Sequence, residues 1–484
     1  MTIVYDKSSG RARLPSADST ASFWHSEPSQ FLLGHRTTPD LPSDADIVIV
    51  GSGITGASAA RFLSEDERSR DMSTLMLEAR EACWGATGRN GGHCQPLLYD
   101  CPPEVAAFEL LNYQKVRAYI ESNNIPCEWR SLAGCHTYLS VEDFAIAVAN
   151  VKALQKADPE LGKLVEILYG QEELAEHGVP NAVGATLNSA AASLWPYKLV
   201  AWILEGLVKH GRLNIQTQTP VTSLEQLCDG RWAVRTPRGV VATRHVILGT
   251  NAYTSHLLPE FSGVIAPVLG QMSALIPPDG SSRIQHSYGF IGKHDNGLLR
   301  DDYLIQRPFC EDPTLGCHGG HLMFGGGRAL APNEGLSIDD DSRIYPATAA
   351  YLRRTLNKVL IFDGSEGTSE HLVDNVQEFR ATHEWSGIMG FSRDWSPWVG
   401  GVPDRKGVYL AGGYSGHGMP NATLCAKAIV NVLLAVENGV DLDEAHEQLV
   451  RDEALPKQYL LTRARLEHAR SLPPAIRTTY DGLV

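Results

Sequence analysis

The 484 residues contain no apolar run of the roughly 18 needed to cross a bilayer. The opening residues, Met1-Thr2-Ile3-Val4-Tyr5-Asp6-Lys7, hold no signal-peptide core. The last four, Asp481-Gly482-Leu483-Val484, spell none of the common address signals, so a cytoplasmic location is expected. Nine cysteines are scattered, odd in number and never in CxxC spacing. That pattern argues against a disulfide framework and against a structural zinc site, and no metal is expected. Positive charge is also in deficit. Lys and Arg number 42 against 56 Asp and Glu, a net −14, which disfavours nucleic acid or an anionic membrane as partner. No internal repeat stands out.

What is there is organised around Asp46-Ile47-Val48-Ile49-Val50-Gly51-Ser52-Gly53-Ile54-Thr55-Gly56. Four consecutive apolar residues predict a buried strand. Three glycines follow at dinucleotide spacing, then a small-residue helix, Ala57-Ser58-Ala59-Ala60. Gly51 permits a tight turn, Gly53 lets backbone N–H groups approach a pyrophosphate, and Gly56 lets helix and strand pack closely. A second strand, Thr74-Leu75-Met76-Leu77, ends in Glu78, about 20 residues on, where an acidic side chain takes a ribose hydroxyl. A phosphate would sit at the positive end of the first helix.

Further along, Trp84-Gly85-Ala86-Thr87-Gly88-Arg89-Asn90-Gly91-Gly92-His93 is glycine-rich enough to predict backbone against a ligand. Helices are expected over 103–124, 142–156, 199–207, 347–360 and 422–434, while 158–185 shows no clear pattern. Strand-like runs between Ile265 and Arg328 predict a second, largely antiparallel sheet. Near the end, Val408-Tyr409-Leu410-Ala411 and Gly412-Gly413-Tyr414-Ser415-Gly416-His417-Gly418 make a second glycine-rich strand-to-helix turn. Two such turns predict one extended ligand gripped at both ends. The expected organisation is an arm over 1–40 anchored by Trp24, a cofactor domain from 41–100, 190–255 and 385–484, and a substrate domain from 101–189 and 256–384.

The segments VIVGSGITG at 48–56, LMLEA at 75–79, GATGRNGGH at 85–93, PYKL at 196–199, VILGTNAY at 246–253 and LAGGYSGHGM at 410–419 resemble the D-amino-acid-oxidase superfamily. The wording GRNGGH, with FGGGR at 324–328 and GIMGFSRDWSPWVG at 387–400, is most similar to its γ-glutamylputrescine-oxidoreductase branch, close to the sarcosine oxidases. The resemblance implies an α/β (α+β) fold: a glutathione-reductase-like FAD-binding Rossmann domain with a second, antiparallel-sheet substrate domain. It implies FAD as cofactor. Gly51, Gly53, Ile54, Thr55 and Gly56 would hold the ADP half, with Glu78, Ala79 and Arg80. Gly85, Ala86, Thr87, Arg89, Asn90 and Gly91 would line the pyrophosphate and ribityl chain, continuing into Gly92 and His93. Val221 would meet the adenine, and Thr250 with Asn251 would close the same sheet edge. Gly412, Gly413, Gly416, His417, Gly418 and Met419 would face the flavin ring system.

The implied activity is oxidation of an amine or amino acid. Hydride leaves to the flavin and the imine is then hydrolysed. Candidates for holding this small-molecule substrate are His93, Tyr253, Gln271, Arg307, Arg328, Tyr414 and His417, with Asp394. Arg307 and Arg328 suit a bidentate grip on a carboxylate. Trp385, Trp395 and Trp398 suit a cage around a cation. Three positions depart from the resembling enzymes. Ile388-Met389-Gly390-Phe391 stands where sarcosine-oxidase relatives carry a flavin-linking cysteine, so the FAD is expected to be noncovalent. Pro420 stands near a substrate-binding lysine, and Met323 where a lysine is linked to oxygen activation. Neither an α-amino-acid substrate nor oxygen as acceptor is therefore implied; a carrier is the alternative. Oxidation of a hydroxyl-bearing carbon is a second alternative. A nicotinamide enzyme would leave the turn at 412–419 without a role.

Overall fold

The computed structural model describes residues 11–281, 283–293, 299–309, 319–362 and 378–472. The first ten residues of the expected arm and the last twelve of the expected cofactor domain lie outside them.

The strand Asp44–Val50 is the centre of the first sheet. It runs parallel to Thr74–Leu77 on one side and to Gly239–Leu248 on the other. Asn214–Gln216 extends one edge in parallel, and Val408–Gly412 extends the other. Central parallel strands are covered on both faces, which is why Ile47, Val48 and Ile49 are fully buried and consecutive rather than alternating. The antiparallel strand Trp398–Gly401 finishes the sheet, and the hairpin strands Ser223–Gln226 and Trp232–Thr236 branch from the start of Gly239–Leu248.

Among the described residues the second sheet has nine strands and is antiparallel except where Arg130–Tyr138 runs parallel to Ser287–Lys293. The fold is thus the expected α/β arrangement with a second, largely antiparallel sheet. Two long strands set its shape, Ile265–Leu275 and Ala381–Ser392, paired along their whole length. The expected boundaries at 190 and 385 each cut a strand of this sheet, Gly184–Ser193 and Ala381–Ser392. Those boundaries followed the ligand motifs, whereas hydrogen bonding assigns the strands.

The helices Pro103–Ser122, Val141–Ala157, Pro196–Lys209, Pro346–Val359 and Ala422–Glu437 match the expected segments within a few residues. The unplaced stretch 158–185 holds two short helices, Pro159–Gly162 and Gln171–Glu176, and the strand Val165–Leu168. The stretch that carries Val221 joins two short strands, Asn214–Gln216 and Ser223–Gln226. Trp24 is fully buried and does anchor the arm. No helix among the described residues is long and apolar enough to cross a membrane.

Candidate functional site

Two helices begin where the glycine-rich turns end, and their N-termini lie side by side. Ile54–Glu65 leaves the first turn and Ala422–Glu437 the second. Thr55 Oγ1 and the Tyr414 hydroxyl are 2.9 Å apart, and Ser58 Oγ donates to Thr423 Oγ1 at 3.3 Å. Both positive helix ends therefore face one cavity of about 1200 Å³. It runs from Val221 and Glu78 at one end, past the loop Gly85–Gly91, to His417 and Tyr303.

The first turn is shaped by close backbone approach. Gly51 has φ +99°, and a Cβ at Gly56 would lie 2.0 Å from the Gly51 carbonyl oxygen. Ile54 N–H donates to Thr87 Oγ1 at 3.0 Å. Glu78 accepts from Ser52 N–H, from Ser52 Oγ–H at 2.6 Å and from Arg80 N–H. This bare-backbone cradle at a helix N-terminus, opening into a long cavity, fits the dinucleotide expected from the sequence.

Most of the expected cofactor residues line this cavity. Gly51, Gly53, Ile54 and Thr55 do, with Glu78, Ala79 and Arg80. So do Gly85, Ala86, Thr87, Arg89, Asn90 and Gly91, and beyond them Val221, Thr250 and Asn251. Gly416, His417, Gly418 and Met419 line its far part. Four glycines do not. Gly56 packs helix against turn, and Gly92 packs against Trp24 and the Leu194 carbonyl. Gly412 and Gly413 sit behind the cavity wall, with Gly413 N–H donating to Asn251 Oδ1 at 2.9 Å. The arginines are also committed. Arg80 and Arg89 share the buried carboxylate of Asp341, at 2.9 and 3.3 Å. Burial nonetheless pushes Arg89 down to about 10.

The substrate candidates divide. His93, Tyr253, Arg328, Tyr414 and His417 line the cavity, whereas Gln271 and Arg307 do not. The Gln271 amide is used by the backbone of Tyr345, accepting at 2.9 Å and donating at 3.3 Å. Arg307 pairs with Glu128 at 2.6 Å and lies over the rings of Phe23 and Trp195. Arg328 does face the cavity but pairs with Asp301 at 2.8 Å. Asp394 is held by Arg465 at 2.8 Å at the cavity edge. No cage of three tryptophans forms. Trp385 and Trp398 are fully buried, bonded to the Arg89 carbonyl and to Ser392 Oγ. Trp395 alone of the three reaches the cavity.

The structure adds His136, Gln95, Tyr303 and Glu109 to the lining. His136 sits within a polar relay. Its Nε2 is 2.8 Å from Gln95 Nε2, its Nδ1 is 2.7 Å from the Tyr99 hydroxyl, and Gln95 Oε1 accepts from Ser287 Oγ. An amide N–H can only donate, so this network assigns the imidazole proton to Nδ1. His93, His136 and His417 face the cavity and are otherwise cut off from solvent, and that desolvation pushes each down to about 4. All three are therefore neutral at pH 7. Polar backbone groups of Gly91 and Leu304 lie near the His93 ring, yet its Nε2 makes no hydrogen bond.

Glu109 is the other buried ionisable group. It accepts from Leu97 N–H at 2.7 Å and from Asn421 Nδ2 at 2.6 Å, and burial pushes it up to about 7. Asn112, one helical turn on, takes Leu424 N–H and so caps the helix that follows the second turn. His136, Tyr303, Glu109 and Asn112 lie in strands and helices with no glycine or proline directly beside them, and Gln95 lies in a loop before Pro96. The available sign was a polar side chain at an otherwise apolar, inward position.

Among the described residues no group of His, Cys, Asp and Glu could hold a metal ion. Residues 46–432 match the family of FAD dependent oxidoreductases, DAO. A probable oxidoreductase OrdL of Haemophilus influenzae is 22% identical over 425 residues, covering 83% of this chain and 85% of that protein. Glycine oxidase from Geobacillus kaustophilus has the same fold, with a TM-score of 0.64 and 17% identity over 87% of this chain and 99% of that one. L-amino acid deaminase from Proteus vulgaris is similar too, with a TM-score of 0.62 and 17% identity over 91% and 100%. The family match spans both glycine-rich turns and the strands between them, and the chain belongs to the DAO family of FAD-dependent oxidoreductases.

Proposed function

We propose that the protein oxidises the C–N bond of an amine or amino acid. The observation that carries this reading is the group of three neutral histidines, His93, His136 and His417, on the cavity wall beyond the first turn. FAD, when bound, supplies the acceptor for the hydride. The residues that would hold it are those of the first turn, the loop Gly85–Gly91, and Gly416 to Met419. Neutral imidazoles do not repel a protonated amine as it arrives. They also offer a lone pair to an N–H, so the amine can be held in the uncharged form from which hydride leaves. His93 and His417, which line the cavity, are the candidates to accept that N–H. Loss of hydride from carbon and of a proton from nitrogen leaves an imine. Water then adds to give a carbonyl compound and a smaller amine.

Two features of the cavity bear on the alternatives. Oxidation of a hydroxyl-bearing phosphate would use unpaired cations, but Arg328 and Arg300 are both ion-paired, to Asp301 and Asp302. Two of the similar folds, glycine oxidase and L-amino acid deaminase, are named for action on amino acids, which supports the same reading. The cofactor is proposed to be noncovalent. The strand Ala381–Ser392 carries no cysteine, and the Cys94 thiol lies against the Met419 carbonyl at 3.8 Å.

The test is an anaerobic panel of primary and secondary amines, amino acids and alcohols, read by bleaching of the flavin spectrum. Bleaching by amines and not by alcohols is expected, and the reverse result would overturn the reading. Reoxidation of the bleached enzyme by air or by a dye then identifies the class of acceptor. Denaturation and filtration should release the flavin into the filtrate.

A further inference from the structure

The arm that precedes the family match is built into the cofactor site. The match begins at residue 46, yet Leu14 and Pro15 line the cavity. They are pinned there from both sides. Ala12 N–H donates to Ser255 Oγ at 2.9 Å, Arg13 pairs with Asp339, and the Ser16 carbonyl accepts from Arg80. Ser255 and His256 follow Tyr253 at the Val221 end of the cavity, and the Ala12 carbonyl lies 3.3 Å from His256 Nδ1.

The next residues of the arm bond the loop that carries Gly85–Gly91 at its backbone. Ser22 Oγ donates to the Gly88 carbonyl at 2.8 Å, and Trp24 Nε1 donates to the Asn90 carbonyl at 2.6 Å. His25 Nε2 lies 3.2 Å from the Cys83 carbonyl, which can only accept, so that nitrogen carries the proton. Burial holds His25 down to about 3, so the ring stays neutral, stacked on Trp84 at 3.7 Å. Thr20 Oγ1 accepts from the Arg89 guanidinium at 2.6 Å.

The glycines of the loop are shaped to these contacts. A Cβ at Gly88 would lie 2.3 Å from His25 Nε2, and one at Gly92 would lie 2.8 Å from the Trp24 ring. Two of the glycines that the sequence assigns to a ligand thus make room for the arm.

We infer that residues 11–25 are part of the FAD-binding site: Leu14 and Pro15 wall the adenine end, and Ser22, Trp24 and His25 brace the loop against which the cofactor lies. The inference rests on FAD as the cofactor. Two full-length variants test it, Leu14→Gly with Pro15→Gly for the wall, and Ser22→Ala with Trp24→Phe for the brace. Trp24→Phe keeps one six-membered ring, removes the N–H donor and gives up part of the buried packing. The readouts are the affinity of the flavin-free protein for FAD, competition by ADP, the rate of FAD release from the holoenzyme, and the thermal midpoint of the flavin-free protein. The wall variant is expected to bind both FAD and ADP about tenfold more weakly. The brace variant is expected to release FAD about tenfold faster. In the wall variant the flavin-free midpoint should stay at the wild-type value; in the brace variant it should fall by only a few degrees, about what the lost indole packing costs. Unchanged affinity and release overturn the inference, as does a fallen flavin-free midpoint in the wall variant, which would make the arm a structural strap only. A wild-type protein that takes up no FAD would instead remove the cofactor assignment on which the inference stands.

Discussion

The two glycine-rich turns look alike in sequence and are held in different ways. In the first, the helix begins directly after the turn, and the tight contacts join residues five apart, Gly51 and Gly56. In the second, the helix starts only at Ala422, and the turn is held by distant residues. Asn251 accepts the Gly413 N–H, Glu109 accepts from Asn421, and Asn112 donates to the Met419 carbonyl and accepts the Leu424 N–H. The first turn is closed mostly within a short stretch of chain, by its own residues with Leu77, Glu78 and Thr87, and only Gly249 comes from far along the sequence. The second is assembled by the rest of the fold.

Substitutions should separate the two. The largest effect is expected for Gly56→Ala, whose Cβ would strike the Gly51 carbonyl at 2.0 Å. Backbone cannot yield as a side chain can, so a loss of about 3 kcal/mol or more is expected, with little bound flavin. Flavin content and the thermal midpoint measure it. Next is Asn251→Ala, which leaves the Gly413 N–H without its acceptor and puts alanine at φ +43°. Together these should cost about 2–3 kcal/mol in denaturant unfolding.

Glu109→Gln sharpens the comparison through pH. The carboxyl is raised from 4.5 to about 7 by burial. Its stabilising contribution is complete below 4.5 and is lost as pH rises through 7. The wild type should therefore lose stability relative to the variant between pH 5 and 8, by on the order of 2 kcal/mol. Thermal midpoints of both proteins across that range check the sign. The smallest effect is expected for Gly416→Ala. No atom lies within 4 Å of its Cβ position, and only φ +90° resists the change. A cost of about 1 kcal/mol is expected in the flavin-free protein, read from its thermal midpoint.

This contrast also explains what could be read from the sequence. Gly51, Gly53 and Glu78 announced the cradle because their partners are nearby in the chain. Arg307 and Gln271 misled because their partners, Glu128 and Tyr345, are far away and invisible to spacing. His136 and Glu109 went unnoticed because an isolated polar residue in a strand or helix has no local mark. The reach of the arm into the cavity was hidden for a different reason. A chain without regular structure reveals its contacts only once the surface it crosses is known.

The chain's path between the sheets also constrains how the protein is made. Asp44–Val50 emerges early during synthesis, but its neighbour Gly239–Leu248 emerges about two hundred residues later. That neighbour in turn waits for Val408–Gly412. A ribosome must therefore have released about half of the polypeptide before the cradle strand has both of its neighbours, and most of it before Gly239–Leu248 is paired on its other side. Cofactor capture is then a late event in the life of each molecule, and until it happens an unfinished parallel edge stays open to chaperones and to other nascent chains.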